Sequence, residues 1–306
     1  MPDLSYLGKM IHDARERAKI SSSELCYGLC SISMLSRIES GKRTPDFLLF
    51  SALFQRAGGS TSDLVYLCSK REVKLFSIIH DSYLFDTYSI DKKKKILEEY
   101  KQTALLSNNL EAQYYYYFSA LCEKNADKRY ELILKALNCT LPNIDIYNDS
   151  FYCLSHMERI IITHALHYCI WHHKTRLAAK VYETLAYTQE KMGADIMSVR
   201  NSFSDRYGVL ICNLVEGDIE EVLHLAKKFF KKYSPYVYPD MEITVAKYNY
   251  QLGYATLYMD KSASGIDVVT AYYMHRLQND YKKAEAIRLD ALNDLGYEFN
   301  IEFFEL

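Results

Sequence analysis

Residues Ser22 to Pro45, SSELCYGLCSISMLSRIESGKRTP, constrain the fold more than any other stretch of the chain. Ser21 to Ser23 offer N-caps ahead of Glu24 and Leu25, so a helix starts there. That helix is short and ends near Gly28, with Leu29 and Cys30 in a tight turn. Ser31 caps a second helix that runs through Ile38, and Gly41 stops it. Upstream, Leu7, Met10, Ile11 and Ala14 recur at helical spacing and predict a helix over Leu7 to Ala18. Downstream, Pro45 opens or precedes a helix through Phe54, and Gly58-Gly59 break it. Thr61 or Ser62 then caps a fifth helix over Leu64, Val65 and Leu67. Residues 1–70 therefore read as one unit of five short helices with a helix-turn-helix at its centre.

The pattern E-L-C-x-G-L-C-S-x-S-x-L-S-R-I-E-x-G-K-R-x-P resembles the helix-turn-helix of the phage-repressor type, the Cro/C1 or XRE class. More narrowly, Gly28-Leu29-Cys30-Ser31, Leu35-Ser36-Arg37-Ile38-Glu39 and Gly41-Lys42 resemble the heads of PlcR-like regulators. Those belong to the Rap–Rgg–NprR–PlcR–PrgX superfamily of peptide-sensing Gram-positive proteins. The match covers roughly residues 5–68. The resemblance implies operator DNA as one partner and a short signalling peptide as another. It also implies a homodimer, and it places Arg15 and Glu39 as an ion pair tying the first helix to the third.

The physical reading of the third helix agrees. An α-helix fits the major groove and offers base edges the side chains of its N-terminal half. Leu35 and Ile38 face the core, whereas Ser31, Ser33, Met34 and Arg37 project outward. Arg37 can bind a guanine through two hydrogen bonds, Ser33 can donate or accept, and Met34 can touch a thymine methyl. Ser22, at the start of the second helix, can present its hydroxyl and backbone N–H to a phosphate. Lys42 and Arg43, in the loop after the third helix, are placed to hold backbone phosphates. Each residue has a plainer role open to it: the serines as caps, Met34 as core, Lys42 and Arg43 as solvated charge.

Charge distribution supports the division. Residues 1–71 carry ten Lys/Arg against seven Asp/Glu, and the remainder carries 27 against 32. A mildly basic head on an acidic body suits a head that grips nucleic acid. No apolar run approaches the length needed to span a bilayer, and no leader pattern opens the chain, so a cytoplasmic location is expected. The eight cysteines are scattered without a C-x-x-C pair, as expected of reduced thiols. Neither cofactor nor metal is expected: His164 and His167 lack an H-E-x-x-H setting. No phosphate-binding loop or G-x-S-x-G elbow occurs, so the chain is not read as an enzyme.

Residues 71–306 predict an all-α body. Gly (11) and Pro (5) are scarce, and apolar residues keep helical spacing from Glu72 almost to the end. Expected helices include Lys92–Leu106, Leu110–Lys124, Lys128–Leu137, Ser150–Trp171, Thr175–Met192, Asp195–Val215, Ile219–Tyr233, Met241–Tyr258 and Tyr281–Leu295. Short breaks between them predict helix pairs stacked as an α-solenoid of degenerate tetratricopeptide-like repeats. Glu216-Gly217-Asp218 matches the turn inside such a repeat, and Ala178 with Tyr182 matches its second helix. The turns His172, Gly217 and Asp260 are 45 and 43 residues apart, longer than the standard repeat.

A stack of this kind is concave on one side, and that side is where an extended peptide would lie. The turns put His164, Tyr168, Asn201, Tyr207, Lys247, Tyr250, Gln251 and Tyr254 on or near it. Amide and ammonium groups can bind a peptide backbone or carboxylate, and tyrosines add apolar area with a polar tip. Residues 72–306 hold 25 of the 28 tyrosines, which suits a groove and equally suits filling wide gaps between helices. The expectation is therefore a peptide-controlled, DNA-binding regulator. The alternative is a regulator whose body is a constitutive dimerisation or docking scaffold without a peptide ligand.

Overall fold

The computed structural model describes residues 5–59, 69–82, 85, 88–147, 153–192, 196–233, 254, 256–259, 265–277 and 280–298. Among them the protein is all α-helix, with no strand. The chain divides into two compact units, residues 1–171 and 172–306.

In the first unit the head is built from α1 (Ser5–Ala18), α2 (Ser22–Cys26), α3 (Ile32–Glu39) and α4 (Phe47–Arg56). Their boundaries follow from local chemistry. Ser21 caps α2 by accepting from the Glu24 N–H, and the Glu24 carboxylate accepts in return from the Ser21 backbone N–H. Ser31 caps α3 through the Met34 N–H, and Asp46 caps α4 through the Leu49 N–H. Leu7, Ile11, Leu25, Leu35, Ile38, Phe50 and Leu53 then meet in one buried core. α1 approaches α3 so closely that a Cβ on Gly8 would stand 1.8 Å from the Ile38 carbonyl oxygen. Only glycine allows that approach. The fifth head helix expected over Leu64 to Leu67 lies outside the described residues.

The chain continues through α5 (Lys70–Ser82), α6 (Ile90–Thr103), α7 (Asn109–Cys122), α8 (Ala126–Thr140) and α9 (His156–Trp171). The charged junction Ser69 to Lys74 is helical from Lys70, as its lack of Gly and Pro predicts. Successive helices pack on one another, α6 on α7, α7 on α8 and α8 on α9. Aromatic rings fill the gaps: Tyr100 is fully buried edge-on to Phe118, and its hydroxyl donates to the Glu111 carbonyl. The ends of α6, α7 and α8 lie one to three residues from the expected bounds, and the start of α9 differs most. The helix anticipated from Ser150 begins at His156, because Glu158 accepts from the Ser155 N–H and donates its own N–H to the Ser155 hydroxyl. That reciprocal pair starts the helix at this point, and Cys153 to Ser155 stay outside it.

The second unit contains α10 (Thr175–Met192), α11 (Ile196–Glu216), α12 (Ile219–Tyr233), α13 (Ile266–Leu277) and α14 (Tyr281–Leu295). Gly217, with φ of 79°, turns the chain between α11 and α12, and Asp218 accepts from the Glu221 N–H at the new helix start. α10 packs along α11 with Ala178 and Tyr182 buried, and Gly208 of α11 lies against the Tyr182 ring. α13 and α14 close on a core of Val268, Ala271, Tyr272, Ala284 and Ile287. No helix among the described residues is long and apolar enough to cross a membrane.

Candidate nucleic-acid interface

The candidate reading surface is built on α3, and two contacts fix that helix before any ligand arrives. Leu35 and Ile38 bury one face in the head core. On its flank, Arg15 Nε donates to Glu39 Oε1 at 2.7 Å and Nη2 donates to Oε2 at 3.1 Å, so α1 and α3 are joined by a two-point bond. The Glu39 hydrogen bonds and charge raise the Arg15 guanidinium above its usual range against the pull of burial. Arg15 also donates to the Ile20 carbonyl, which closes the turn into α2.

The opposite face of α3 is open. Ser31, Ile32, Ser33, Ser36 and Arg37 are exposed, and Lys42 and Arg43 follow on an exposed loop. That loop is ordered by its backbone: the Arg43 N–H donates to the Arg37 carbonyl at 3.1 Å, and Gly41 takes φ of 71°. Ser33, Arg37, Lys42 and Arg43 thus share the outward side of one short helix and its following turn. The Ser31 hydroxyl is partly committed as the cap. Ser22 is the first residue of α2 and half-buried. Met34 is half-buried against the head core, because at 100° per residue it lies between the buried stripe and the open face.

Two features, one on this surface and one buried behind it, carry no signal in the local sequence pattern. Ile32, the first residue of α3, is 55 % exposed and places a branched apolar side chain beside Ser36 and Ser33. Its helical phase relative to Leu35 suggests a core position, and only the packed head shows that the core ends before reaching it. The second is Arg56, at the end of α4. In sequence it is one more charge beside a glycine break. In the structure it is 1 % exposed and pairs with Glu158 of α9, which is fully buried.

All five Arg56 N–H groups are used. Nε and Nη2 donate to the two Glu158 oxygens, Nη1 donates to the Leu25 and Tyr27 carbonyls, and Nη2 also donates to the Thr140 carbonyl at 3.1 Å. Burial works against the Arg56 charge, but the charge and hydrogen bonds of Glu158 outweigh it and hold the guanidinium above its usual range. Removing either partner alone would strand a buried charge, at about 3–5 kcal/mol. Nearby, the Cys153 thiol donates to the Arg56 carbonyl, and burial pushes that thiol up to about 12.

The residues expected to line a peptide groove fall in both units. His164 and Tyr168 share one face of α9. The Tyr117 hydroxyl lies 3.4 Å from His164 Nε2, and the Tyr168 ring stacks on Tyr130 with centroids 4.1 Å apart. The Tyr168 hydroxyl donates to Asp127, and that bond holds its ionisation up to about 12. Tyr207 is half-buried on α11, and Asn201 lies on the same helix. Tyr254 is half-buried against the core of α13 and α14. Lys247, Tyr250 and Gln251 lie outside the described residues. Among the described residues no group of His, Cys, Asp and Glu is arranged to hold a metal ion.

Comparison with solved structures places this architecture. Bacillus thuringiensis PlcR, solved in complex with the peptide PapR7 and DNA, superposes with a TM-score of 0.53. The match covers 92 % of this chain and 98 % of PlcR at 15 % identity. The fold is that of PlcR. At that identity the likeness speaks for architecture, a helix-turn-helix head followed by paired helices, and not for ligands. The Streptococcus dysgalactiae SHP pheromone receptor Rgg2 matches with a TM-score of 0.49 at 15 % identity, over 94 % of this chain and 99 % of that one. The apo form of ComR from S. thermophilus matches with a TM-score of 0.46 at 14 % identity, over 94 % and 98 %. No family model matches the sequence, and no curated protein matches it.

Proposed function

We propose that the protein is a DNA-binding transcription regulator of a Gram-positive bacterium, acting in the cytoplasm as a homodimer and controlled by a short signalling peptide. The observation that carries the DNA half is the open face of α3. Ser33 and Arg37 stand exposed with Lys42 and Arg43 beside them, on a helix locked from behind by Leu35, Ile38 and the Arg15–Glu39 bond. In this reading residues 1–70 meet DNA and residues 71–306 sense peptide and dimerise. Arg37 reads a base edge, Ser22, Lys42 and Arg43 hold phosphates, and Ser31, Ser33 and Met34 complete the contact. One head reads one half-site, so two heads must stand about 34 Å apart, or a multiple of that, on a palindromic operator.

The peptide half is supported by the shared fold with PlcR, whose structure was solved with a peptide and DNA. The proposed contacts are His164, Tyr168, Asn201, Tyr207, Lys247, Tyr250, Gln251 and Tyr254. Peptide would act only through different affinities for two states of the dimer. A second reading, the constitutive scaffold, draws support from Tyr168 and Tyr254. The first already has its hydroxyl and ring engaged, and the second packs on a core.

Selection of duplexes from a random pool tests the DNA half. A palindrome bound by the wild type and lost by Arg37→Ala is expected; enrichment of no duplex would overturn it. Titrating secreted-peptide fractions into that complex separates the two readings of the body, since a scaffold leaves affinity and dimerisation unchanged.

A further inference from the structure

The turn of the helix-turn-helix is held from outside the motif. α2 is five residues long and ends with carbonyls that no further turn of helix can satisfy. The Leu25 and Tyr27 carbonyls are taken by Arg56, which is itself aimed by Glu158 on α9. The Gly28 carbonyl accepts from Asn109 Nδ2, at the start of α7, at 3.0 Å. The Tyr27 hydroxyl donates to the Pro142 carbonyl at 2.7 Å. Gly28 has φ of 67°, and a Cβ there would stand 2.0 Å from the Thr140 carbonyl oxygen, so the turn lies directly on the end of α8. These contacts reach α2, the turn and α4, and they leave Ile32, Ser33, Ser36 and Arg37 exposed. The clamp therefore holds the turn that leads into α3 and leaves the outward face of α3 uncovered.

We infer that Glu158 and Asn109 are positioning residues for DNA reading. Through Arg56 and the Gly28 carbonyl they hold the turn that aims α3, so that α1–α4 and the helices α7–α9 present the reading face as one body. This rests on the proposal that α3 reads DNA. A buried ion pair contributes little net stability over well-packed apolar side chains, and its best-attested use is to specify one geometry. Here that geometry is the angle of the recognition helix. A displacement of that helix by a fraction of an ångström misaligns hydrogen bonds to base edges, which need near-linear geometry, and scarcely affects contacts to phosphates.

The test uses the full chain and a duplex selected by the wild-type protein. Asn109 is exposed, and Asn109→Ala removes one hydrogen bond to the turn without touching a core residue. Its expected effect is about a fivefold weaker affinity for the selected duplex, the size of one net hydrogen bond. Affinity for a scrambled duplex and its salt dependence should stay as in the wild type, while the melting temperature falls by no more than the few degrees that one lost hydrogen bond accounts for. Glu158→Gln is expected to weaken the selected duplex further at a temperature where its helical signal is intact. If Glu158→Gln fails to fold, Asn109→Ala decides alone. Folded variants that bind the selected duplex as tightly as wild type, or more tightly, would overturn the inference. An equal loss on selected and scrambled duplexes would overturn it too. A wild-type protein that selects no duplex refutes the DNA reading itself, a different outcome.

Discussion

Arg15 and Glu39, 24 residues apart, face each other across the seam between α1 and α3, with Nε 2.7 Å from Oε1 and Nη2 3.1 Å from Oε2. Both side chains are mostly buried, at 11 % and 12 % exposure, so solvent screens the pair only in part. Arg15→Ala is expected to lower stability by about 1–2 kcal/mol, since a charged hydrogen-bonding partner is left behind at a half-sealed edge. Urea unfolding of the single variants and the Arg15→Ala/Glu39→Ala double variant measures this. A coupling energy near zero would show that the two helices are held by their apolar contacts alone.

Base reading and phosphate holding separate in their salt dependence. Arg37→Ala should lower affinity for a selected duplex by about tenfold or more, most at one base position, and Arg37→Lys should not restore it. Lys42→Ala and Arg43→Ala should weaken selected and scrambled duplexes alike and reduce the salt slope by about one each. Fluorescence anisotropy across a salt series reads both. Equal behaviour of the Arg37 and Lys42 variants would argue against a groove-reading role for Arg37.

Ile32 offers a chemical test of its own. Its exposed side chain has the chemistry to meet a thymine methyl in the major groove. Replacing thymines of the selected site one at a time by deoxyuridine deletes only that methyl. At one position the loss should be about 1 kcal/mol with Ile32 present and near zero with Ile32→Ala. Additive losses at every position would remove Ile32 from the interface.

The capping box at α2 predicts a pH effect. The Ser21 hydroxyl and backbone N–H hold the Glu24 carboxyl below its ordinary value. A depressed carboxylate contributes stability above its unfolded value and loses it as pH falls through the folded one. Ser21→Ala should return Glu24 toward the ordinary carboxylate range, by NMR titration, and lower neutral-pH stability by about 1 kcal/mol. It should also flatten the acid limb of the stability curve. A variant whose Glu24 titrates unchanged would show that the hydroxyl is not what depresses it.

Much of the head was legible in the residues. Ser31 followed by the apolar pair Leu35 and Ile38 marks α3, and Gly41 marks its end, because caps and helical stripes act within a few residues. The Arg15–Glu39 bond followed from resemblance and is present. The body helices Thr175–Met192, Ile219–Tyr233 and Tyr281–Leu295 have the expected bounds. Other features were not legible. Met34 and Ile32 lie either side of the buried stripe, and a helical wheel cannot say which flank the neighbouring helices cover. Tyr168 and Tyr254 suit a groove by composition, and their engaged rings are visible only in the packed units.

The sequence by itself determined that the chain is built of helices, where the described head helices begin and end to within about two residues, and that a helix-turn-helix lies within residues 1–70. Those are properties of spacing, caps and chain breakers, and each is settled among near neighbours. Only the tertiary structure decided that Arg56 is buried, that it meets Glu158 from 102 residues away, and that Arg56 so held serves the Leu25 and Tyr27 carbonyls. A charge is solvated by default, and nothing local announces otherwise. The partner that makes its burial tolerable is supplied by the fold, when α9 brings a carboxylate to the end of α4.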